Sequence, residues 1–208
     1  MKFLAPALLA VLTAAPAAAQ TVTLDFEGAV GYVNSILEFY NGGTDSLGQS
    51  GPNFGVSFTE AAVGLSNDPL GPYYANAPSP LTVLFGFGGT AVMNVASGFA
   101  DRLVFSYSST ISTLDAVKVY AGLNATSTLL SSASLLGNST LACSGAFCRF
   151  DLTSVQFAGV AKSVSFGGNA PNVLFDDITI SVVPEPSTYL LLAGGLFAVG
   201  MVKRRRLG

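Results

Sequence analysis

Four carboxylates stand where they could come to share one site. Asp25 and Glu27 lie in TLDFEG, and Asp176 and Asp177 lie in LFDDITI. A spacing of two along a strand sends Asp25 and Glu27 from the same face. If the first and last strands of the domain pair, these acids approach the Asp pair, and carboxylates gathered at one sheet edge repel unless a cation or water separates them. A hard cation with oxygen ligands meets that need, and outside a cell calcium is the usual one. Backbone carbonyls from Asn41 to Asp45 could complete its shell. The competing reading is a β-bulge. Phe175, Ile178 and Ile180 all face the core only if parity slips at the Asp pair, which would leave both acids at the solvent edge. No cofactor is required on either reading, and structural Ca2+ is the candidate.

Aromatic faces beside polar groups are the second chemistry on offer. Carbohydrate sites present flat rings next to hydrogen-bonding groups. Tyr40 with its neighbour Asn41, and Tyr73 and Tyr74 in NDPLGPYYANAPSP, are the ligand-binding candidates. The second segment is a Pro-rich loop, where large rings are expected at the surface. The chain has no tryptophan, and most of its 15 phenylalanines alternate with small residues inside strand-like stretches, which marks them as core.

Catalysis has less to work with. The chain contains no histidine, so Ser-His-Asp and Cys-His arrangements and histidine-ligated zinc are excluded. A glycosidase needs two carboxylates about 5 to 9.5 Å apart facing one cleft. Asp176 and Asp177 are adjacent and point to opposite faces of a regular strand, which leaves Glu27 with Asp176 as the conceivable pair. A non-enzyme is expected. Cys143 and Cys148 are the only cysteines. In an oxidising compartment they are expected to form a disulfide that pins a local hairpin, since so short a loop removes little chain entropy.

The two ends say where these groups work. In MKFLAPALLAVLTAAPAAAQ, Lys2 is a positive n-region, an apolar run follows, and Ala17, Ala18 and Ala19 are the small residues a signal peptidase accepts. Residues 1–19 therefore read as a signal peptide. At the other end, in VPEPSTYLLLAGGLFAVGMVKRRRLG, the 15 uncharged residues 188–202 fall short of the roughly 20 that a comfortable spanning helix needs. Lys203, Arg204, Arg205 and Arg206 would stay on the cytoplasmic side. An inner-membrane intermediate with a transient C-terminal transmembrane helix fits this pattern. Pro184, Glu185 and Pro186, the short apolar segment and the terminal cations, in that order, resemble the PEP-CTERM sorting signal of Gram-negative bacteria that make extracellular polysaccharide. The resemblance implies a membrane transpeptidase, exosortase, acting at the PEP motif and passing the protein to the envelope or extracellular matrix. An ordinary C-terminal membrane anchor is the alternative.

Between the tags lie residues 20–182, enough for one core of ordinary domain size. This body holds every acid of the chain except Glu185 and only four cations, Arg102, Lys118, Arg149 and Lys162. So acidic a balance argues against nucleic acid as a partner. Gly, Ser, Thr, Asn, Phe and Val dominate, which disfavours long helices. Alternation places strands at 22–26, 55–61, 82–85, 91–95, 102–107, 116–120, 129–134, 154–157, 163–166 and 173–182. The expected fold is all-β, a two-sheet β-sandwich of jelly-roll type, with residues 41–55 as a long loop. FYNGGTDSLGQSGPNFGVSF, KVYAGLNATSTLLSS, the cysteine loop and AKSVSFGGNAPNVLFDDITI resemble a recurring set of PEP-CTERM cargo proteins. The ending also resembles the last strand of galactose-binding-like jelly rolls, some of which hold calcium between their terminal strands. The resulting expectation is an exported, noncatalytic structural or adhesive protein of the exopolysaccharide layer, with a calcium-supported carbohydrate-binding module as the alternative.

Overall fold

The computed structural model describes residues 19–139, 143–167, 172–183 and Gly195. The signal segment up to residue 18, the C-terminal apolar segment and the sorting residues Pro184, Glu185, Pro186, Lys203, Arg204, Arg205 and Arg206 lie outside them. Among the described residues, no helix is long and apolar enough to cross a membrane. The compact unit Ala19–Val183 is built of antiparallel strands. They are β1 (Gln20–Leu24), β2 (Asn34–Ser35), β3 (Val56–Phe58), β4 (Ala62–Ser66), β5 (Thr82–Gly86), β6 (Ala91–Ser109), β7 (Thr113–Tyr120), β8 (Leu129–Leu135), β9 (Asp151–Phe166) and β10 (Val173–Val182). The hydrogen-bonded order is β2-β4-β5-β10-β6-β9-β7-β8, with β1 beside β10 and β3 beside β6.

The all-β, sandwich-like expectation holds, but the two layers are not separate sheets. Strands β6 and β9 run 19 and 16 residues, and their mutual register shifts between Asn94 and Phe99 and again between Ala100 and Arg102. Either side of the shift, β6 keeps different company: its start pairs β3, and its end pairs β10. Strand β7 joins only the far end of β9, from Ser163 to Phe166. The β6–β9 ribbon thus belongs to both layers and turns the corner between them through bulges, a way of closing sandwiches without separate sheets. Where the layers face, Phe166 packs 5.0 Å from Phe175 and 6.4 Å from Phe105. Because the ribbon is continuous, the strands expected at 91–95 and 102–107 are one strand, as are those at 154–157 and 163–166.

Two further differences have local causes. The strand expected at 55–61 is shorter, β3 alone, ended by a turn that Ala62 N–H closes by donating to the Thr59 carbonyl (2.9 Å), and β4, absent from the expected strands, follows it. All five residues of β4 are buried, so alternation had no polar face on which to register it. Strand β1 stops at Leu24 because Phe26 adopts a φ of 62°, which ends regular pairing. The first and last strands do pair, from Gln20 opposite Val182 to Leu24 opposite Ile178.

Gly98 sits in the corner with a φ of 86°, and its carbonyl accepts the Val183 N–H at 2.8 Å. A Cβ there would collide with Val160 and lie 3.1 Å from the Ala161 carbonyl oxygen. Gly98→Ala is therefore expected to cost about 2 kcal/mol of unfolding free energy in urea titration. Gly71→Ala, whose Cβ meets open space, should leave the midpoint in place; equal midpoints for the two variants would remove Gly98 from the corner's construction.

Candidate functional site

The sheet edge where β1 and β10 meet does collect the acids, and their partners are protein donors. In β10 the register against β6 slips between Asp176 and Thr179, and Asp177 takes a φ of 48°. This is the bulge that lets Phe175, Ile178 and Ile180 all reach the core. Contrary to the solvent-edge placement expected with a bulge, Asp176 is turned inward and fully buried. Its Oδ2 accepts Ser79 N–H (3.0 Å), and its Oδ1 accepts Asp177 N–H (2.8 Å) and lies 2.7 Å from Ser79 Oγ. Glu27 accepts Leu81 N–H at 2.9 and 3.0 Å through both oxygens and Thr82 N–H at 3.0 Å. Asp25 remains exposed. Its Oδ1 accepts the Glu27 N–H (3.3 Å) and its backbone carbonyl lies 2.9 Å from Ser79 Oγ. Asp176, Glu27 and the Asp25 carbonyl thus fasten residues 79–82 to the terminal strands, a role the sequence did not suggest for Ser79.

Burial holds the Asp176 carboxyl well above its ordinary value of 3.8, at about 7, against the lowering effect of its three hydrogen-bond contacts. Burial also raises Asp177, and the charges of Asp25 and Glu27 add to it. The Ser79 hydroxyl suits both forms of Asp176. It donates to the ionised carboxylate, or it accepts from the neutral acid and turns its own proton to the Asp25 carbonyl. As a cation cage the corner fits poorly, because backbone N–H groups take the lone pairs that calcium would need on Asp176 and Glu27. Among the described residues, no group of three or more His, Cys, Asp or Glu is arranged to hold a metal ion. In the loop expected to lend carbonyls, the Asp45 side chain is buried and accepts Asn34 Nδ2 (2.7 Å), Leu47 N–H (3.0 Å) and Gln49 N–H (2.8 Å).

The tyrosines divide. Tyr40, expected at the surface, is buried at 2% exposure, stacked on Phe54 and edge-on to Phe26 and Phe39. Its hydroxyl accepts Phe26 N–H (2.7 Å) and donates to Asp25 (3.3 Å), and burial first, then the Asp25 charge, raises its pKa. The sequence signal was ambiguous because a tyrosine can also be buried where its hydroxyl finds a partner. Asn41 is exposed, with its amide donating to Glu38 at 2.8 Å. Tyr74 is also buried, and its hydroxyl donates to the Leu81 carbonyl at 2.7 Å.

Tyr73 faces outward, into a groove of about 730 Å³. Two aromatic pairs line it: Tyr73 with Tyr32, ring centroids 5.5 Å apart, and Phe85 with Phe87, 6.4 Å apart. Tyr32 and Phe87 expose 59% and 55% of their surface, and Leu70 at the rim exposes 87%. Beneath lie Leu65 and Phe147, part of a small core with Tyr74, Val83 and Leu174. No carboxylate, cation or thiol lines the groove among the described residues. Asp68 accepts the Tyr73 hydroxyl at 3.0 Å, and desolvation together with that bond holds the phenol at about 12. The Cys143–Cys148 disulfide forms, but it does not pin a hairpin of strands. Its loop docks on the tyrosine segment: Ala146 and Phe147 N–H both donate to the Tyr73 carbonyl, and Ala75 N–H donates to the Phe147 carbonyl at 2.9 Å. Tyr32, Phe85 and Phe87 escaped sequence reasoning because GYVNS had no clear period and LFGFGG read as the end of a core strand.

Residues 182–206 match the family described as the PEP-CTERM protein-sorting motif. The chain carries a PEP-CTERM sorting motif. The motif supports export and sorting to the cell envelope, and it implies exosortase as the processing partner. No curated protein matches the chain. Among solved structures, a glycoside hydrolase family 43 arabinoxylan arabinofuranohydrolase from Bacillus subtilis, in complex with cellotetraose, is similar at 12% identity and a TM-score of 0.36. The similarity covers 67% of this chain and 31% of that one, so the chain spans about a third of that protein's length. Within the PEP-CTERM match, Val182 still belongs to β10, so the motif begins on the last paired residues of the sandwich.

The acid corner yields two predictions. Folded Asp176 holds its proton up to about 7, whereas an unfolded carboxyl releases it near 4. The folded state therefore binds the extra proton between those values, and stability falls as pH rises through that window. Urea midpoints should decline from pH 5 to pH 8 in the wild type, and the slope should flatten in Asp176→Asn; with no histidine in the chain, a parallel slope in both would exclude Asp176 as its source. Chelation with EDTA should leave the melting temperature unchanged, and a rise on adding calcium would reinstate a cation at this corner.

Proposed function

We propose that the mature protein is a noncatalytic adhesive component of the extracellular polymer layer, and that the aromatic groove is the surface by which it holds a polysaccharide chain. The sorting motif supports delivery to the envelope. The observation that carries the adhesive reading is the groove itself: four aromatic side chains line it in two pairs, Tyr32 and Phe87 mostly exposed, with no acid pair along the lining. Apolar faces of sugar rings pack on such walls without needing charge, and the tyrosine hydroxyls supply polar contacts at the edges. A hydrolase would need two carboxylates opposed across the same space. Glu27 and Asp176, the pair left open by the sequence, are instead bound to the backbone of residues 79–82. An exposed apolar patch of this kind on an exported protein also marks an interaction surface in its own right.

Native affinity electrophoresis in gels containing the extracellular polysaccharide of the producing strain tests this reading. The wild-type protein should be retarded, and the double variant Tyr32→Ala with Tyr73→Ala should bind about tenfold more weakly or worse. Incubation should release no new reducing ends. Unchanged retardation of the double variant would dismiss the groove, and chain shortening would dismiss the noncatalytic role.

A further inference from the structure

The two halves of the disulfide loop are held in different ways. Its second half is anchored without help from sulfur. Phe147 is buried in the small core with Tyr74 and Leu174 and forms an isolated parallel bridge with Tyr74. Its carbonyl accepts Ala75 N–H at 2.9 Å, and the next carbonyl, that of Cys148, accepts Asn76 Nδ2 at 2.9 Å. In the first half, neither Ser144 nor Gly145 donates a backbone hydrogen bond among the described residues. The Cys143–Cys148 bond ties this half to the anchored one, and the Gly145 carbonyl oxygen rests 3.3 Å from Cys148 Sγ.

What the loop covers is the backbone of Tyr73. A Cβ at Gly145 would lie 2.7 Å from the Tyr73 carbonyl oxygen and 2.9 Å from that of Pro72, so the two backbones meet at a distance only glycine permits. Ala146 and Phe147 N–H converge on the same Tyr73 carbonyl at 3.1 and 3.3 Å. Ser144, Gly145 and Ala146 line the groove together with Pro72 and the Tyr73 ring. The covalent bond, the loop and the aromatic pair of Tyr73 with Tyr32 therefore form one chain of contacts.

We propose that oxidation of Cys143 and Cys148 assembles the groove, so that the protein gains its binding surface only once it has left a reducing compartment. The bond closes by thiol–disulfide exchange with a disulfide-bearing oxidant. The cysteines release their protons, an electron pair passes to the oxidant, whose disulfide becomes a dithiol, and Sγ of Cys143 joins Sγ of Cys148. A dithiol reductant runs the exchange backward and closes to its own disulfide. With the bond open, Cys143 to Gly145 regain chain freedom; Gly145 leaves the Pro72 and Tyr73 carbonyls, and Tyr73 loses the cover that fixes its ring beside Tyr32. This gate rests on the adhesive reading for what the groove holds.

Native affinity electrophoresis in the polysaccharide gel, paired with amide hydrogen exchange, tests the gate on the purified exported protein. The comparison is between oxidised wild type, wild type reduced with dithiothreitol, Cys143→Ser with Cys148→Ser, and Gly145→Ala with its disulfide intact. Reduction and the double serine variant should weaken retardation about tenfold or more and speed exchange at Ala146 and Phe147, while the amides of β10 stay protected. Gly145→Ala should weaken retardation as well, because its methyl cannot fit against the Tyr73 backbone although the bond is closed. Unchanged protection of Ala146 and Phe147 after reduction, or equal retardation of the oxidised and reduced forms, overturns the proposal. If reduction also strips protection from β10, Gly145→Ala decides, and wild-type retardation in that variant overturns the gate. If the oxidised wild type is not retarded, the adhesive reading falls, and the exchange rates of Ala146 and Phe147 still decide whether oxidation assembles the groove.

Discussion

A carboxylate taken out of water must find donors or stay protonated, and Asp176 does some of each. It is fully buried at the bulge of β10, and its contacts come from Ser79 and from the backbone of Asp177. The same knot contains the Asp25 carbonyl and, one step on, the Glu27 carboxylate over Leu81 and Thr82. One corner thus joins the first strand, the last strand and the entry to β5. Removing Ser79 leaves the buried Asp176 carboxyl without its donors, which costs far more than the same bonds contribute when made.

The groove depends on that corner. Thr82 begins β5, and β5 carries Phe85 to the wall of the groove; holding Thr82 in place fixes where the ring emerges. Tyr74 extends the linkage by donating to the Leu81 carbonyl, and its burial forces the adjacent Tyr73 outward, as neighbouring residues of an extended segment must diverge. The disulfide loop then closes over the backbone of the same two tyrosines. A bridge across so few residues constrains little of the unfolded chain, so its contribution is local: it keeps Gly145 to Phe147 against one wall of the groove.

How much of this the sequence disclosed follows from which residues keep a period. Strands β5, β7, β8 and β10 have mixed burial or strong β-formers and were legible at close to their observed bounds. Strand β4 was not, because every side chain is buried and no alternation exists to read. The joining of short strands into β6 and β9 was invisible because bulges break parity where the strand itself continues. At the site, the approach of Asp25 and Glu27 to the Asp pair was legible from the pairing of terminal strands. The donors were not, since backbone N–H groups carry no residue signature and Ser79 sits in a Pro-rich loop. Tyr73 was placed correctly at the surface and its neighbour Tyr74 was not, a distinction that depends on tertiary packing alone.

The pairing of the terminal strands also bears on how a tagged protein can lose its tags. Gln20 lies opposite Val182, and the Val183 N–H is bound to the Gly98 carbonyl at the sheet corner. The first residue after the expected signal cleavage and the last residues before Pro184 are therefore neighbours in one ladder. Strand β10 is paired on both sides, with β1 and β5 along one edge and β6 along the other. A cut within β10 would strip the central strand that carries Phe175 and Asp176. The sorting motif, which begins on Val182, the final residue of β10, is thus placed as far inward as it can start without a break inside the ladder.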